Sequence, residues 1–321
     1  MNSIFLNKKN RNIIFAVIGL SLLISSCDIA NNSHTGTRHA LVLNSPLVNR
    51  GNTPADHVIE ISTPSYKDIQ ALYESADTDI DHVLAAEHTP PAFLPKQVPG
   101  DFAEIKETEE RKKTFLGFVL LPIQAVNATL LEERRHLIAL QAKTKGTPPY
   151  PQDVQDKLET LAQSYGGEAT FENLLMRIDE IPASLALAQA ALESGWGTSR
   201  FAAQGNALFG EHTTSLEHGL QPAGLEPDHG VKVEAFDTVY DSVASYMLNL
   251  NTHAAYQDFR TMRAKMRKNN QPLNGRKLAQ GLLSYSERQH AYIEELHLVI
   301  DHNKLTRLDQ PLVIQNAKLK N

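Results

Sequence analysis

The residues best suited to do chemistry gather at one helix end. Residues 183–193 read ASLALAQAALE, a run of strong helix formers, and Glu193 closes it. Pro182 precedes the run, where its fixed φ and missing N–H cost nothing, and Gly195 follows, able to supply a left-handed cap. The last turn of a helix carries partial negative charge, which disfavours an ionised carboxylate. Neighbouring Trp and Leu side chains add desolvation, and both effects push the carboxyl toward its protonated form near neutral pH. A carboxyl in that state is the general acid that glycosidic-bond cleavage needs. On position alone Glu193 would be an ordinary glutamate, since most are exposed and idle. Its surroundings make the difference.

Other chemistries find less support. Thirteen histidines invite a metal, with His212, His218 and His229 in one region, but their spacing fits no compact zinc pattern and no H-E-x-x-H occurs. No metal is therefore expected. Ser194 has no Gly-x-Ser-x-Gly frame around it and reads as a cap rather than a nucleophile. With no Walker loop and no dinucleotide fingerprint, no cofactor is expected. The net charge of −6 argues against a general nucleic-acid binder.

The elements that must position Glu193 are mostly helical. Phe115, Phe118, Val119, Ile123, Val126, Leu130 and Leu131 recur at three- and four-residue steps, with Pro122 setting a kink or an entry turn. The charge run from Glu132 to Arg135 reads as a solvated helix face. Short helices are predicted over residues 151–164 and 171–180, and helical period returns over 242–266 and 276–298. Between Phe209 and Val239 the pattern changes: Val231, Val233 and Ala235 alternate with Lys232, Glu234 and Phe236, which predicts a short strand or hairpin. The fold class expected is mostly α with a small β-hairpin lobe.

The N-terminus carries a targeting signal. Lys8, Lys9 and Arg11 precede an apolar stretch, Ile13 to Ile24, too short to span a bilayer. Ser25 and Ser26 then lead into Cys27, the chain's single cysteine, so no internal disulfide is possible. The order LISSC resembles a bacterial lipobox, which implies lipidation of Cys27 and a membrane partner through that anchor. Asp28 after it resembles an inner-membrane retention signal. The organisation read from the sequence is a signal peptide over 1–26 and a lipid-anchored, largely disordered tether over 27–100. Pro90, Pro91, Pro95 and Pro99 mark the boundary before a folded domain over 101–300 and a C-terminal tail over 301–321.

Three ordered motifs carry a family resemblance: ALAQAALESGWGTSRFA with GNALFG (within 186–210), FDTVYDSVASYMLNLNTHAAY (236–256) and GLLSYSERQHAY (281–292). Together they resemble glycoside hydrolase family 73, the peptidoglycan glucosaminidases, and within it the Bax-like envelope proteins. The resemblance implies a lysozyme-like domain and hydrolysis of the glycan strand after N-acetylglucosamine. It also implies Glu193 as catalytic acid, and Tyr285 as the tyrosine that helps hold substrate or intermediate. Asn206 and Phe209 match the family's Asn-Leu-Phe-Gly turn, although Ala207 is inserted after Asn206. Trp196 and Tyr292 are expected to line the substrate cleft with them. A second acid is expected in the hairpin region. Glu226, 33 residues after Glu193 and ten before Phe236, has the best spacing, with Glu211, Glu217 and Glu234 as alternatives. The implied partner is peptidoglycan and the implied place the cell envelope, facing the periplasm, with the chain a monomer. Two other readings share these features: a lytic transglycosylase of the same fold, and a non-catalytic glycan-binding lipoprotein.

Overall fold

The computed structural model describes residues 59–213, 219–221 and 232–310. Cys27, Asp28, Glu217, His218, Glu226 and His229 lie outside the described residues.

The first elements are β1 (Ile59–Ile61), α1 (Tyr66–Ser75), α2 (Ile80–Leu84) and β2 (Phe93–Pro95). β1 and β2 pair in parallel, Ile59 opposite Phe93. The proline run sits among these elements rather than separating a tether from a domain. Tyr73 donates through its hydroxyl to the Gly117 carbonyl at 2.9 Å, and Asp101 accepts from Ser65 Oγ at 2.7 Å and from the Tyr66 N–H at 2.8 Å. The described fold therefore extends upstream of Asp101, the start expected from the prolines.

The axle of the domain is α3 (Thr108–Lys143), 36 residues long. Residues 114–123 are buried without a break, so nearly three turns have no solvent face. It is long and apolar enough to cross a membrane, but most of that apolar stretch is buried inside the protein. Pro122 lies within the continuous helix and does not open it. Packing from every side outweighs the roughly 3 kcal/mol that an interior proline costs. The run Glu132–Arg135 is solvated only in part, chiefly at Arg135. Glu133 is buried and accepts from the Tyr165 hydroxyl at 2.5 Å, and Arg134 donates to the Ile178 carbonyl at 2.8 Å.

Two helices follow, α4 (Gln152–Tyr165) and α5 (Phe171–Arg177), then α6 (Ala183–Glu193), which packs on α3. After α7 (Arg200–Gly205) come β3 (His212–Thr213), β4 (Gly219–Leu220) and β5 (Lys232–Glu234). They form an antiparallel sheet in the order β3-β5-β4, the small β lobe. The helical period over 242–266 resolves into α8 (Val239–Thr252) and α9 (Gln257–Lys268), separated by a 3-10 turn, Ala254–Tyr256. The last elements are α10 (Gly275–Leu278), a 3-10 turn over Ala279–Tyr285, α11 (His290–His302) and a 3-10 turn over Leu305–Asp309. The architecture is mostly α with a small β lobe, the lysozyme-like arrangement expected.

Residues 301–310 are part of this fold rather than a tail. Asp309 accepts from the Ser184 N–H at 2.9 Å, from Ser184 Oγ at 2.8 Å and from the Gly275 N–H at 2.8 Å. Its carboxylate thereby satisfies a donor in the first turn of α6 that has no partner within the helix. Just upstream, Arg267 forms a fork on Asp179, Nε at 3.0 Å and Nη2 at 2.7 Å, while the fully buried Arg263 donates to the carbonyls of Met176, Arg177, Asp179 and Glu180. The start of α6 is thus fixed from three directions.

Candidate active site

Glu193 is the last residue of α6, and the chain turns sharply after it. The Trp196 N–H reaches back to the Ala191 carbonyl at 2.9 Å and the Gly195 N–H to Leu192 at 3.5 Å, a Schellman cap with Gly195 left-handed as expected. Trp196 and Gly197 continue with positive φ, 60° and 78°. A tryptophan there is strained, and such strain persists only where surrounding contacts over-determine it. Those contacts are present. The Trp196 ring meets Phe115 edge-on with centroids 6.0 Å apart, and Lys112 Nζ lies 5.6 Å from its centroid. A Cβ on Gly197 would approach Phe102 and Phe115 to 2.9 Å, so this turn is pressed onto α3. Ser194 is a cap, as its sequence context implies: its hydroxyl donates to the Ala190 carbonyl and accepts from the Gly197 N–H.

Glu193 itself is reached by solvent on one side while protein crowds it on the others. Desolvation by that surrounding mass raises its pKa to about 7, against a hydrogen bond from Tyr292 and the charge of Arg288, which both lower it; Glu295 adds to the rise. The wall is made of tyrosines rather than of Trp196. Tyr246, Tyr256, Tyr285 and Tyr292 all feel the charge of Glu193. Tyr285 stacks on Tyr292 at 5.5 Å with rings 4° from parallel, and its hydroxyl donates to the Phe209 carbonyl at 3.3 Å.

The remaining expected site residues divide. Phe209 is buried and stacked on Tyr246 at 3.8 Å, so it supports the wall from behind. Tyr292 is also buried; its hydroxyl accepts from Gln189 Nε2 at 3.1 Å and acts on Glu193 to lower its pKa. Asn206 is left-handed, φ 52°, and its amide is spent on backbone: Oδ1 accepts from the Val98 N–H at 2.9 Å and Nδ2 donates to the Phe236 carbonyl at 3.0 Å. It ties the upstream segment, the α7 end and the exit of the β lobe together. Gly210 follows the turn, and a Cβ there would stand 3.8 Å from Glu193 Oε2. Glu211, next along, acts electrostatically on Tyr246 and Tyr256, which places it beside the same wall. Glu234 lies in β5 and pairs its N–H with the Glu211 carbonyl at 2.8 Å. Sequence reasoning missed Gln189, Tyr246 and Tyr256. All three lie within the quoted motifs, and Gln189 also stands out as a polar residue one turn before Glu193 in an apolar helix. Among the described residues, no group of three or more His, Cys, Asp or Glu could hold a metal.

A protonatable carboxyl at a helix end, walled by tyrosines and bordered by a small β lobe, defines a glycoside hydrolase of the glucosaminidase family, and the chain belongs to it. Residues 170–305 match the family model described as mannosyl-glycoprotein endo-beta-N-acetylglucosaminidase. The chain is 32% identical over 197 residues to the Protein bax of Escherichia coli (strain K12), covering 60% of this chain and 70% of that one. No solved structure matches it. The matched span holds Glu193, the β lobe and all four tyrosines, which identifies a peptidoglycan-related glycosidase.

Proposed function

We propose that this protein hydrolyses the glycan strand of peptidoglycan after N-acetylglucosamine, with Glu193 as the general acid. The observation that carries this reading is the Glu193 carboxyl, pushed up to about 7 at the solvent-open end of a buried helix. A carboxyl with that pKa is still substantially protonated at neutral pH and can deliver its proton to the leaving glycosidic oxygen. Water then attacks the anomeric carbon, either with help from a second carboxylate or after participation by the sugar's own N-acetyl group. Glu226 is favoured for the second carboxylate by spacing, and Glu211 by its place beside the tyrosine wall. Tyr285, fastened to the turn through the Phe209 carbonyl, would hold the sugar or the intermediate against the wall. The exposed part of Trp196 would offer a stacking surface at the cleft edge. Asn206, with its amide already engaged, would keep the Leu208–Gly210 turn facing Glu193.

The same proposal places the protein at the cell envelope, facing the periplasm. It acts as a monomer anchored through lipid on Cys27, with the inner membrane favoured by Asp28. The test is digestion of purified peptidoglycan by the detergent-solubilised full chain beside Glu193→Gln, with products reduced and identified by mass. Glucosaminitol ends from the wild type alone are expected. Anhydro-muramic ends would move the reaction to a lytic transglycosylase, and no product with glycan binding intact would leave a binding lipoprotein.

A further inference from the structure

We infer that Gln189 is a positioning residue which, held by Tyr246, fixes the direction of the hydrogen bond that Tyr292 delivers to Glu193. The inference rests on the proposed role of Glu193. Gln189 is fully buried in α6, one turn before Glu193 and on the same face. The Tyr246 hydroxyl donates to Gln189 Oε1 at 2.8 Å, and Gln189 Nε2 donates to the Tyr292 hydroxyl at 3.1 Å. Among the groups that act on Glu193, Tyr292 is the one whose hydroxyl, as a hydrogen-bond donor, works against the rise of its pKa.

A tyrosine hydroxyl has one proton. Because Tyr292 accepts from the Gln189 amide, its own proton is left for the carboxylate. With the amide turned over, Oε1 would compete for that proton, and Glu193 would lose its donor for part of the time. Tyr246 opposes the turned amide: it is buried, and its hydroxyl proton would then face an NH₂ group and have no acceptor there. Its ring cannot swing away, because it lies flat on Phe209 at 3.8 Å. The chain of donors therefore runs one way, from Tyr246 through Gln189 and Tyr292 to Glu193. The other groups acting on the site are Arg288 and Glu295, paired with each other at the start of α11, Tyr256 and Tyr285 at the ends of two 3-10 turns, and Glu211 acting on Tyr246 and Tyr256. None of them touches Gln189 through a hydrogen bond.

The experiment is a titration of the Glu193 carboxyl carbon by NMR in the full chain, assigned by its disappearance in Glu193→Gln. Tyr292→Phe removes the donor, Gln189→Met removes the relay, and Tyr246→Phe removes only the hydroxyl that orients the amide. The midpoint is expected to rise by about one pH unit in Tyr292→Phe and by about half as much in the other two. The alkaline limb of kcat should move with it, with KM little changed. A midpoint in folded Tyr246→Phe equal to the wild type, with Tyr292→Phe shifted, would overturn the relay. Should Gln189→Met fail to fold, Tyr246→Phe decides, since it keeps the ring on Phe209. A wild type without glycosidase activity would defeat the functional proposal and leave this titration readable.

Discussion

Each end of α6 has an acid beside it, Asp179 buried just before the start and Glu193 open to solvent on one side at the end, and the two are treated in opposite ways. At the start, burial alone would raise the pKa of Asp179, but the hydrogen bonds from Arg267 and the charges of Arg263 and Arg134 override it and hold the carboxyl below its ordinary value. At the end, Glu193 meets tyrosine hydroxyls, with Arg288 outside, and desolvation wins. Guanidinium groups make an acid permanent, whereas neutral hydroxyls leave it able to gain and lose a proton. The helix thus has one end whose acid is held charged and another whose acid can change its protonation state.

That contrast is open to attack from several sides. Glu193→Gln removes the reactive end only, and glycan cleavage should fall by about 10²–10⁴-fold while circular dichroism stays that of the wild type. Asp179→Asn attacks the fixed end, leaving Arg267 and Arg263 buried without their anion. Urea unfolding should show a loss of about 3–5 kcal/mol. The pH dependence of stability should also split. Asp179 has a lowered folded-state pKa, so its contribution is present above the unfolded value and is lost as pH falls through the folded one. Glu193 is raised, so its contribution is full below the unfolded value, near 4.5, and disappears as pH rises through about 7. Glu193→Gln should therefore gain melting temperature over the wild type at pH 8 compared with pH 4.5. Activity should decline over the same upper range as the acid deprotonates. The smallest effect is expected from Asn206→Gly, which keeps the left-handed backbone but drops the bonds to Val98 and Phe236. A loss of about 1–2 kcal/mol in thermal or urea unfolding is expected.

How much of this was legible in the sequence follows from how local each cause is. The α6 run and its Gly195 cap depend on neighbours within a few residues and could be read there; the rise of the Glu193 pKa was expected in direction, but its main cause is crowding by residues far off in the chain. The cause assigned to Trp196 could not be read there, because the ring turns away to Phe115 and Lys112, residues of a helix far off in the chain. Tyr246 and Tyr292 come from α8 and α11, and only tertiary packing brings them to Gln189. The prolines at 90–99 resemble a linker because proline breaks local structure, but the Lys96 carbonyl accepts from the Val239 N–H and the Val98 N–H donates to the Asn206 side chain, bonds that no local rule anticipates. The Glu132–Arg135 run looked solvated for the same reason: its partners, Tyr165 and Ile178, lie elsewhere.

The Asp309 contact sets an order on events during synthesis. Glu193 leaves the ribosome long before Asp309, whose carboxylate fastens the first turn of its helix. A nascent or prematurely ended chain can carry every signature residue of the cleft and still lack the pin that seats it. Seating of the helix that carries Glu193 thus waits for chain synthesised more than a hundred residues later.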